Sequence, residues 1–408
     1  MIRILHTADL HLDSPLKSLA LRDEDMRDAV QTATRAAFVT IIDTALAENV
    51  AALLIAGDLF DGAARSAKTA AFLVTQLDRL AAADIPVFYI KGNHDAENPV
   101  TGETALPANV HVFDGRGGKV QLAGTDIWIH GVSFRDRHAP ESLLDKFDDP
   151  VADAINIGML HTSLAGAAGH DTYAPCSVTD LQAMGFDYWA LGHIHKREVY
   201  CNAPWIVMPG IPQGRDIGEA GPQSATMLCI NDGAITVHEI PTAAVVFQQV
   251  ACDISACTTD EMLRDKLRAT LRDQHAQASN SIVRLALTGQ SDRHWHILRD
   301  QALWVETARS LAQEIGQVWI DKISFDLATP AGNTVGATDE LAQIMQAMCA
   351  EPGMIAALDD VVDTTLSELP AQMRAALLPD KDAAGRLAQN LAKSGCAQIV
   401  AQMKGAGV

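Results

Sequence analysis

No stretch of this 408-residue chain approaches the roughly 18 consecutive apolar residues that a membrane-crossing helix needs. There is no signal-peptide pattern: Met1 runs straight into strand-like Ile2-Arg3-Ile4-Leu5, so the expected location is the cytoplasm. There is no C-x-x-C pair. The seven cysteines (176, 201, 229, 252, 257, 349 and 396) read as ordinary thiols of a reducing compartment, not as a disulfide frame or a zinc site. Repeats and low-complexity tracts are absent, and 28 Gly with 16 Pro are too few for a fibre. Basic charge is scarce: 31 Lys plus Arg stand against 51 Asp plus Glu, a net charge of −20. Residues 1–243 carry 31 acids and 17 bases, 244–330 carry 11 and 9, and 331–408 carry 9 and 5. No segment therefore has the basic footprint usual for a nucleic-acid binder, and any such contact needs a local patch, bound cations or a partner. What is present is a chain 48% hydrophobic and 20% charged, which excludes disorder. At roughly 100–200 residues per domain it is long enough for two or three.

Short, uncharged apolar runs at 2–5, 51–55, 86–90, 155–160, 188–191 and 206–208 have the length of strands buried on both faces. Helical patterns lie between the first three. One covers 25–48, with Phe38, Ile41, Ile42 and Ala45 on one face; the other covers 67–82, with Ala70, Leu73, Val74, Leu77 and Ala81 repeating at helical spacing. This βαβαβ start, followed by meander or hairpin strands at 127–132, 225–230 and 235–238 with an Asn231-Asp232-Gly233 turn, predicts an α/β sandwich with a mixed sheet. Residues 244–330 read as a smaller α+β unit with strands at 245–250, 282–287 and 318–323 and helices near 259–275 and 304–315. A linker is expected over 329–336. The remainder reads as helix, with Leu341, Ile344, Met345 and Met348 on one face, either for packing or for docking a partner helix. The expected domains are thus 1–243, 244–330 and a helical 331–408.

Five clusters carry chemistry, and four of them directly follow an expected strand: Asp9-Leu10-His11, Gly57-Asp58-Leu59-Phe60-Asp61, Gly92-Asn93-His94-Asp95 and Gly192-His193-Ile194-His195. The fifth, His161, ends a strand of its own. Loops at the carboxyl ends of strands in an α/β sheet converge on one crevice. Carboxylate, amide oxygen and imidazole without a thiolate suit Mn²⁺, Fe²⁺, Zn²⁺ or Mg²⁺. Seven ligands (Asp9, His11, Asp58, Asn93, His161, His193 and His195) are too many for one ion and suit two that share a bridge. The glycines before Asp58, Asn93 and His193 permit sharp turns and close backbone approach. His6 and His130 read as buried, satisfied groups. His111, His138, His238, His275, His294 and His296 have no ligand-like setting, His170 has no clear reading, and Arg215 suits a structural salt bridge better than a phosphate contact.

With its D-x-H, G-D-x-x-D, G-N-H-D, lone His and G-H-x-H, the sequence resembles the calcineurin-like metallophosphoesterase superfamily over about residues 1–240. The His6–Pro15 opening (HTADLHLDSP), Tyr173-Ala-Pro and PGIPQGR at 209–215 are similar to the DNA-repair exonuclease branch, SbcD-type and in particular YhaO-like. The resemblance implies a four-layer α/β sandwich with a small α+β cap domain and a helical C-terminal tail. It implies one ion held by Asp9, His11, Asp58 and His195 and a second by Asp58, Asn93, His161 and His193. His94 would face the scissile bond as the catalytic group, with Asp95 orienting it. Asp61 would either hold a ligand in place or cap the following helix. The implied cofactors are two divalent ions, with Mn²⁺ favoured over Mg²⁺, Fe²⁺ or Zn²⁺. The implied partners are DNA, a second copy of the chain and an SMC-like coiled-coil ATPase of the SbcC type, with no membrane. The expected activity is metal-dependent DNA exonuclease action in repair. One alternative is a phosphatase or small-molecule phosphodiesterase of the same superfamily. It is disfavoured because Gly62 stands where Ser/Thr phosphatases carry a phosphate-gripping Arg, and because their G-N-H-E is G-N-H-D here. The other is a non-catalytic scaffold, disfavoured because every ligand position is filled.

Overall fold

The computed structural model describes the chain except residues 15–23, 62–65, 98–104, 165–172, 279, 329–336, 350, 371–372, 375–377, 379–381 and 406–408. Pro15, Gly62, His170 and the linker expected over 329–336 lie outside the described residues. The chain divides into two compact units, Met1–Gln249 with Ala276–Ile282, and Val250–His275 with Val283–Val408.

The first unit begins β1 (Ile2–Thr7), α1 (Glu24–Ala47), β2 (Ala52–Ala56), α2 (Ala67–Ala81), β3 (Val87–Ile90), α3 (Asn93–Glu97) and β4 (Val110–Val112). It continues β5 (Gly118–Gln121), β6 (Ile127–Gly131), β7 (Ile155–His161), α4 (Val178–Ala183), β8 (Tyr188–Gly192), β9 (Glu198–Asn202), β10 (Trp205–Met208), β11 (Ser224–Asn231) and β12 (Ala234–Pro241). The strands form two six-stranded sheets, in the orders β12-β11-β1-β2-β3-β4 and β5-β6-β7-β8-β10-β9. β1 to β4 are mutually parallel, as are β6, β7, β8 and β10, while β5, β9 and β12 are antiparallel strands at three of the four sheet edges. The mixed sheet read from the sequence is thus two mixed sheets, as the resemblance to a four-layer sandwich implies. Strands buried on both faces carry no alternation to say which sheet they join.

Alternation within each buried strand separates the layers. On β2, Leu53 and Ile55 pack with Phe38, Ile41 and Ile42 of α1 and Leu73, Leu77 and Leu80 of α2. Ala52, Leu54 and Ala56 point the other way, into a core shared with Ile129, Ile157, Met159, Tyr188 and Val207 of the second sheet. The outer face of that sheet packs Trp189, Leu191 and Ile206 against Leu181 of α4. The result is a four-layer helix–sheet–sheet–helix sandwich. α2 starts at Ser66, whose hydroxyl accepts the Thr69 N–H, and α4 at Ser177 through a capping box with Asp180.

The second unit contains the three-stranded sheet β13 (Val246–Asp253), β14 (Ser281–Gln290) and β15 (Val318–Ala328), in that order. Helices α5 (Asp260–Gln277), α6 (His294–Arg299) and α7 (Gln301–Ile315) accompany it. Leu263, Leu267 and Leu271 of α5, one helical turn apart, meet Val283, Leu285 and Leu287 of β14 and Trp304 and Leu311 of α7. α8 (Ala337–Cys349), α9 (Pro352–Ser367) and α10 (Ala383–Gly405) belong to the same unit, and the Lys404 ammonium lies 4.9 Å from the Trp295 ring centre. Ile344 and Met348 on the α8 stripe remain exposed. The six cysteines whose side chains are described are free thiols, and no described helix is long and apolar enough to cross a membrane.

His6, inside β1, is fully buried between the Tyr188 hydroxyl (2.9 Å) and the Leu191 carbonyl (3.0 Å). Burial pushes its pKa down from 6.5 to about 3, against the pull of the Leu191 carbonyl. The folded value lies below the unfolded one, so the stability His6 contributes is intact above pH 6.5 and is lost as pH falls toward 3. Unfolding by urea at a series of pH values should show a one-proton slope of roughly 1.4 kcal/mol per pH unit in this window. His6→Gln should lack that slope; equal slopes in the two proteins would disprove the assignment.

Candidate metal centre

The loops after β1 and β2 are joined by their backbones. Asp9 N–H donates to the Gly57 carbonyl (2.9 Å), His11 N–H to that of Asp58 (3.0 Å) and Leu12 N–H to that of Leu59 (3.1 Å). This continues the parallel pairing of β1 and β2 past the strand ends in an irregular form. Asp9, His11, Asp58 and His193 all hold positive φ, at 53°, 39°, 51° and 101°. Non-glycine residues rarely adopt this conformation, and surrounding contacts have to hold them there. The His193 N–H donates to the Asp9 carboxylate at 2.9 Å, and the His94 N–H donates to Asp58 Oδ1 at 3.0 Å. The Asp95 carboxylate accepts three backbone N–H groups, from Leu59 (2.9 Å), Phe60 (3.0 Å) and Gly92 (3.1 Å). It thereby ties the second loop to the third.

The glycines make this density possible. A Cβ on Gly57, itself at φ 94°, would lie 2.4 Å from His161 Nδ1, and one on Gly92 would lie 2.2 Å from Asp58 Oδ1.

All seven sequence-predicted ligands meet here. His11 Nε2 and His195 Nε2 are 3.2 Å apart, and His195 Nε2 is 3.9 Å from Asp9 Oδ1. His161 Nε2 is 3.1 Å from Asn93 Oδ1 and 3.4 Å from Asp58 Oδ2, and the same Asp58 oxygen is 3.8 Å from His11 Nε2. Ligand atoms of Asp9, His11 and His195 form one group within metal-binding reach of each other, and those of Asp58, His161 and His193 form another. Asp58 lies between them, and Asp9, His11, Asp58, Asn93 and His161 are buried.

The donor set fits divalent cations. His161 Nδ1 lies 2.9 Å from the Ala56 carbonyl, which only accepts, so Nδ1 carries a proton and Nε2 faces the Asn93 and Asp58 oxygens. Lone pairs gathered in a buried place require positive charge among them. Within the protein alone that charge is a proton: burial pulls the His161 pKa down, but the attraction of Asp58 overrides it and raises the value to about 9. Burial pushes the Asp58 pKa up, but the neighbouring imidazoles, His161 foremost, outweigh it and hold the carboxyl far below the usual range. Asp95 shifts the other way, upward, through burial and the Asp58 charge beside it.

His94 sits at the cluster's edge, its pKa lowered by burial against the pull of Asp58. Its Nδ1 is 3.8 Å from Asp61 Oδ1, and that same oxygen is 3.6 Å from His11 Nδ1. The carboxylate the fold places beside His94 is thus Asp61, whereas Asp95 braces the loops. The difference arises because Asp95, on the first turn of α3, points toward the N–H groups of the neighbouring loop. A cleft of about 920 Å³ opens over Asp58, His94 and His195 and also receives Arg137, Tyr173 and Lys196. Arg215 forms an ion pair with Glu219 (3.0 Å), and Glu219 in turn meets His195 Nδ1 (2.6 Å). Sequence reading missed Glu219, Arg137 and Lys196. Lys196 directly follows His195, whereas Glu219 and Arg137 lie outside the motifs and reach the site only in the folded chain.

Residues 2–197 match the model of the calcineurin-like phosphoesterase family, and residues 247–328 match the middle domain of metallophosphoesterase YhaO. The uncharacterized metallophosphoesterase YhaO of Bacillus subtilis is 34% identical over 301 residues, spanning 71% of this chain and 72% of that protein. The chain belongs to the calcineurin-like metallophosphoesterases. Among other members, the DNA double-strand break repair protein Mre11 of Sulfurisphaera tokodaii is 28% identical over 203 residues, 48% of this chain and 50% of that protein. The metallophosphoesterase described here thus spans about half the length of that relative. A solved structure, TT1561 of Thermus thermophilus, aligns over 58% of the chain and 98% of its own at 14% identity with a TM-score of 0.35. Membership makes the chain a hydrolase of a family that uses a dinuclear metal site.

The close approach at Gly92 gives a direct test. Gly92→Ala should lower the urea-unfolding stability by about 1–3 kcal/mol through overpacking against Asp58 and His161. An unchanged unfolding midpoint would show that the loops are looser than described.

Proposed function

We propose that the metallophosphoesterase is a metal-dependent DNA nuclease, with exonuclease action in DNA repair. The observation that carries the reading is that Asp9, His11, Asp58, Asn93, His161, His193 and His195 come together from five chain segments, beside a cleft that also receives Lys196 and Arg137. In this reading Asp9, His11, Asp58 and His195 hold one divalent ion, and Asp58, Asn93, His161 and His193 hold the other, with Mn²⁺ as the favoured metal. A bound pair of such ions supplies an activated water and a clamp on the phosphoryl oxygens. Asn93 is neutral, so the ligand set leaves net positive charge for a phosphate. His94, at the cluster's edge, offers an N–H to the leaving oxygen, and Asp61 holds the His94 ring toward the cleft. Lys196 and Arg137 meet the flanking backbone phosphates, which supplies locally the basic charge that the chain lacks overall.

The named function of the Mre11 relatives, repair of DNA double-strand breaks, supports DNA as the substrate. Further parts of the proposal concern assembly: a homodimer, DNA capping by the α+β part of the second unit, and attachment of an SMC-like ATPase at the exposed apolar stripe of α8.

The test is digestion of end-labelled linear duplex DNA with and without Mn²⁺, run beside a phosphomonoester. Wild type should degrade the duplex only with metal. Asp58→Ala should lose metal binding altogether. His94→Ala should keep its metal and lose roughly 100- to 10,000-fold in turnover. Turnover of the monoester without any DNA cleavage would replace the nuclease by a phosphatase, and a His94→Ala variant of normal rate would remove His94 from the chemistry.

A further inference from the structure

Glu219 ends a short 3₁₀ turn, Ile217–Glu219, and its place is closely fixed. Its N–H donates to the Asp216 carbonyl (3.1 Å), and its own carbonyl accepts from the Gln223 side chain (2.7 Å). One carboxylate oxygen, Oε2, accepts the Arg215 backbone N–H (2.7 Å). The other, Oε1, accepts from Arg215 Nη2 (3.0 Å) and lies 2.6 Å from His195 Nδ1. Arg215 pairs with both oxygens of the group, which is the carboxylate that a glutamate ordinarily is at neutral pH.

An ionised carboxylate has no proton to give, and lone pair against lone pair is repulsive at this separation. The proton in the short contact is therefore on His195 Nδ1, which donates to Oε1. Arg215 Nη2 also comes within 3.1 Å of Nδ1, but it competes poorly for a nitrogen already facing the anion to which it is itself paired. With Nδ1 protonated, the neutral ring must present a lone pair at Nε2, the atom that faces His11 Nε2 and Asp9. The Ala56 carbonyl likewise holds a proton on His161 Nδ1, so two imidazoles of the centre have that nitrogen fixed from the far side of the ring.

We infer that Glu219, held by Arg215, is a positioning residue for His195: it fixes the tautomer and ring direction that put the Nε2 lone pair into the metal centre. The inference rests on the two-ion reading above. Partners of this kind orient a ligand and raise its basicity, and their loss typically weakens metal affinity about 10- to 100-fold.

The decisive measurement reads the wild-type protein itself. Long-range ¹H–¹⁵N correlation on metal-free, ¹⁵N-labelled wild type reads the protonation of each ring nitrogen, with His195 assigned by the signals lost in His195→Gln. His195 should carry its proton on Nδ1, and finding it on Nε2 would overturn the inference. In parallel, Mn²⁺ affinity is measured by titration, with thermal melting recorded for each protein. Folded Glu219→Ala should bind about 10- to 100-fold more weakly. Glu219→Gln, which keeps an oxygen facing Nδ1, should recover most of the loss. Wild-type affinity in folded Glu219→Ala, or no recovery in Glu219→Gln, would reduce Glu219 to a structural partner of Arg215. Absence of Mn²⁺ binding by wild type would instead sink the two-ion reading, while the ring-nitrogen result would still decide whether Glu219 sets the His195 tautomer.

Discussion

The Asp58 carboxylate, 2% exposed, has His161 on one side at 3.4 Å and His11 on the other at 3.8 Å, and it accepts the His94 N–H. A buried anion of this kind is costly unless it is surrounded by donors and positive charge. Most of the local structure answers that requirement. The imidazoles come from β7 and from the loops after β1 and β8, and those of His11, His161 and His195 each lie within 4 Å of a carboxylate oxygen. The unusual backbone follows from the same demand: Asp9, His11, Asp58 and His193 take left-handed conformations because only those turns aim their side chains inward from strand ends that run parallel. The sandwich supplies the rigidity that holds them there, with Ala56 and Ala8 packed in the core directly beside the ligand loops.

The braces are as specific as the ligands. Asp95 ties two loops through three N–H groups, Asp61 stands between His11 and His94, and the Ala56 carbonyl sets the His161 ring. Asp95 pairs buried backbone N–H groups through both of its oxygens, and the Ala56 carbonyl meets the buried His161 Nδ1. Such groups make a site whose geometry exists before any ligand arrives, which favours catalysis by reducing reorganisation during the reaction.

The charge of −20 gains a different meaning in this setting. Whole-chain charge describes long-range attraction, whereas the cleft concentrates Lys196 and Arg137 near a centre built for cations.

The sequence alone was enough to reveal the α/β class, the buried strands, the leading helices and the seven residues that meet at the centre. The reason is physical: a strand end followed by Gly-Asp, Gly-Asn-His or Gly-His-x-His is local, and glycine next to a ligand marks a close approach wherever the chain folds. It left undetermined which strands share a sheet, since strands buried on both faces look alike from 2–5 to 206–208. It placed Asp95 behind His94, where the fold puts Asp61, because adjacency along the chain does not fix the direction of a side chain on the first turn of a helix. Glu219 was invisible for the same reason in stronger form. It lies 24 residues beyond His195, in a loop without a motif, and only the packing of the 3₁₀ turn against the G-H-x-H loop brings its carboxylate to the imidazole. Types and spacing of ligands are written in the local sequence; orientation, proton position and the grouping of strands are properties of contacts that form only when distant segments meet.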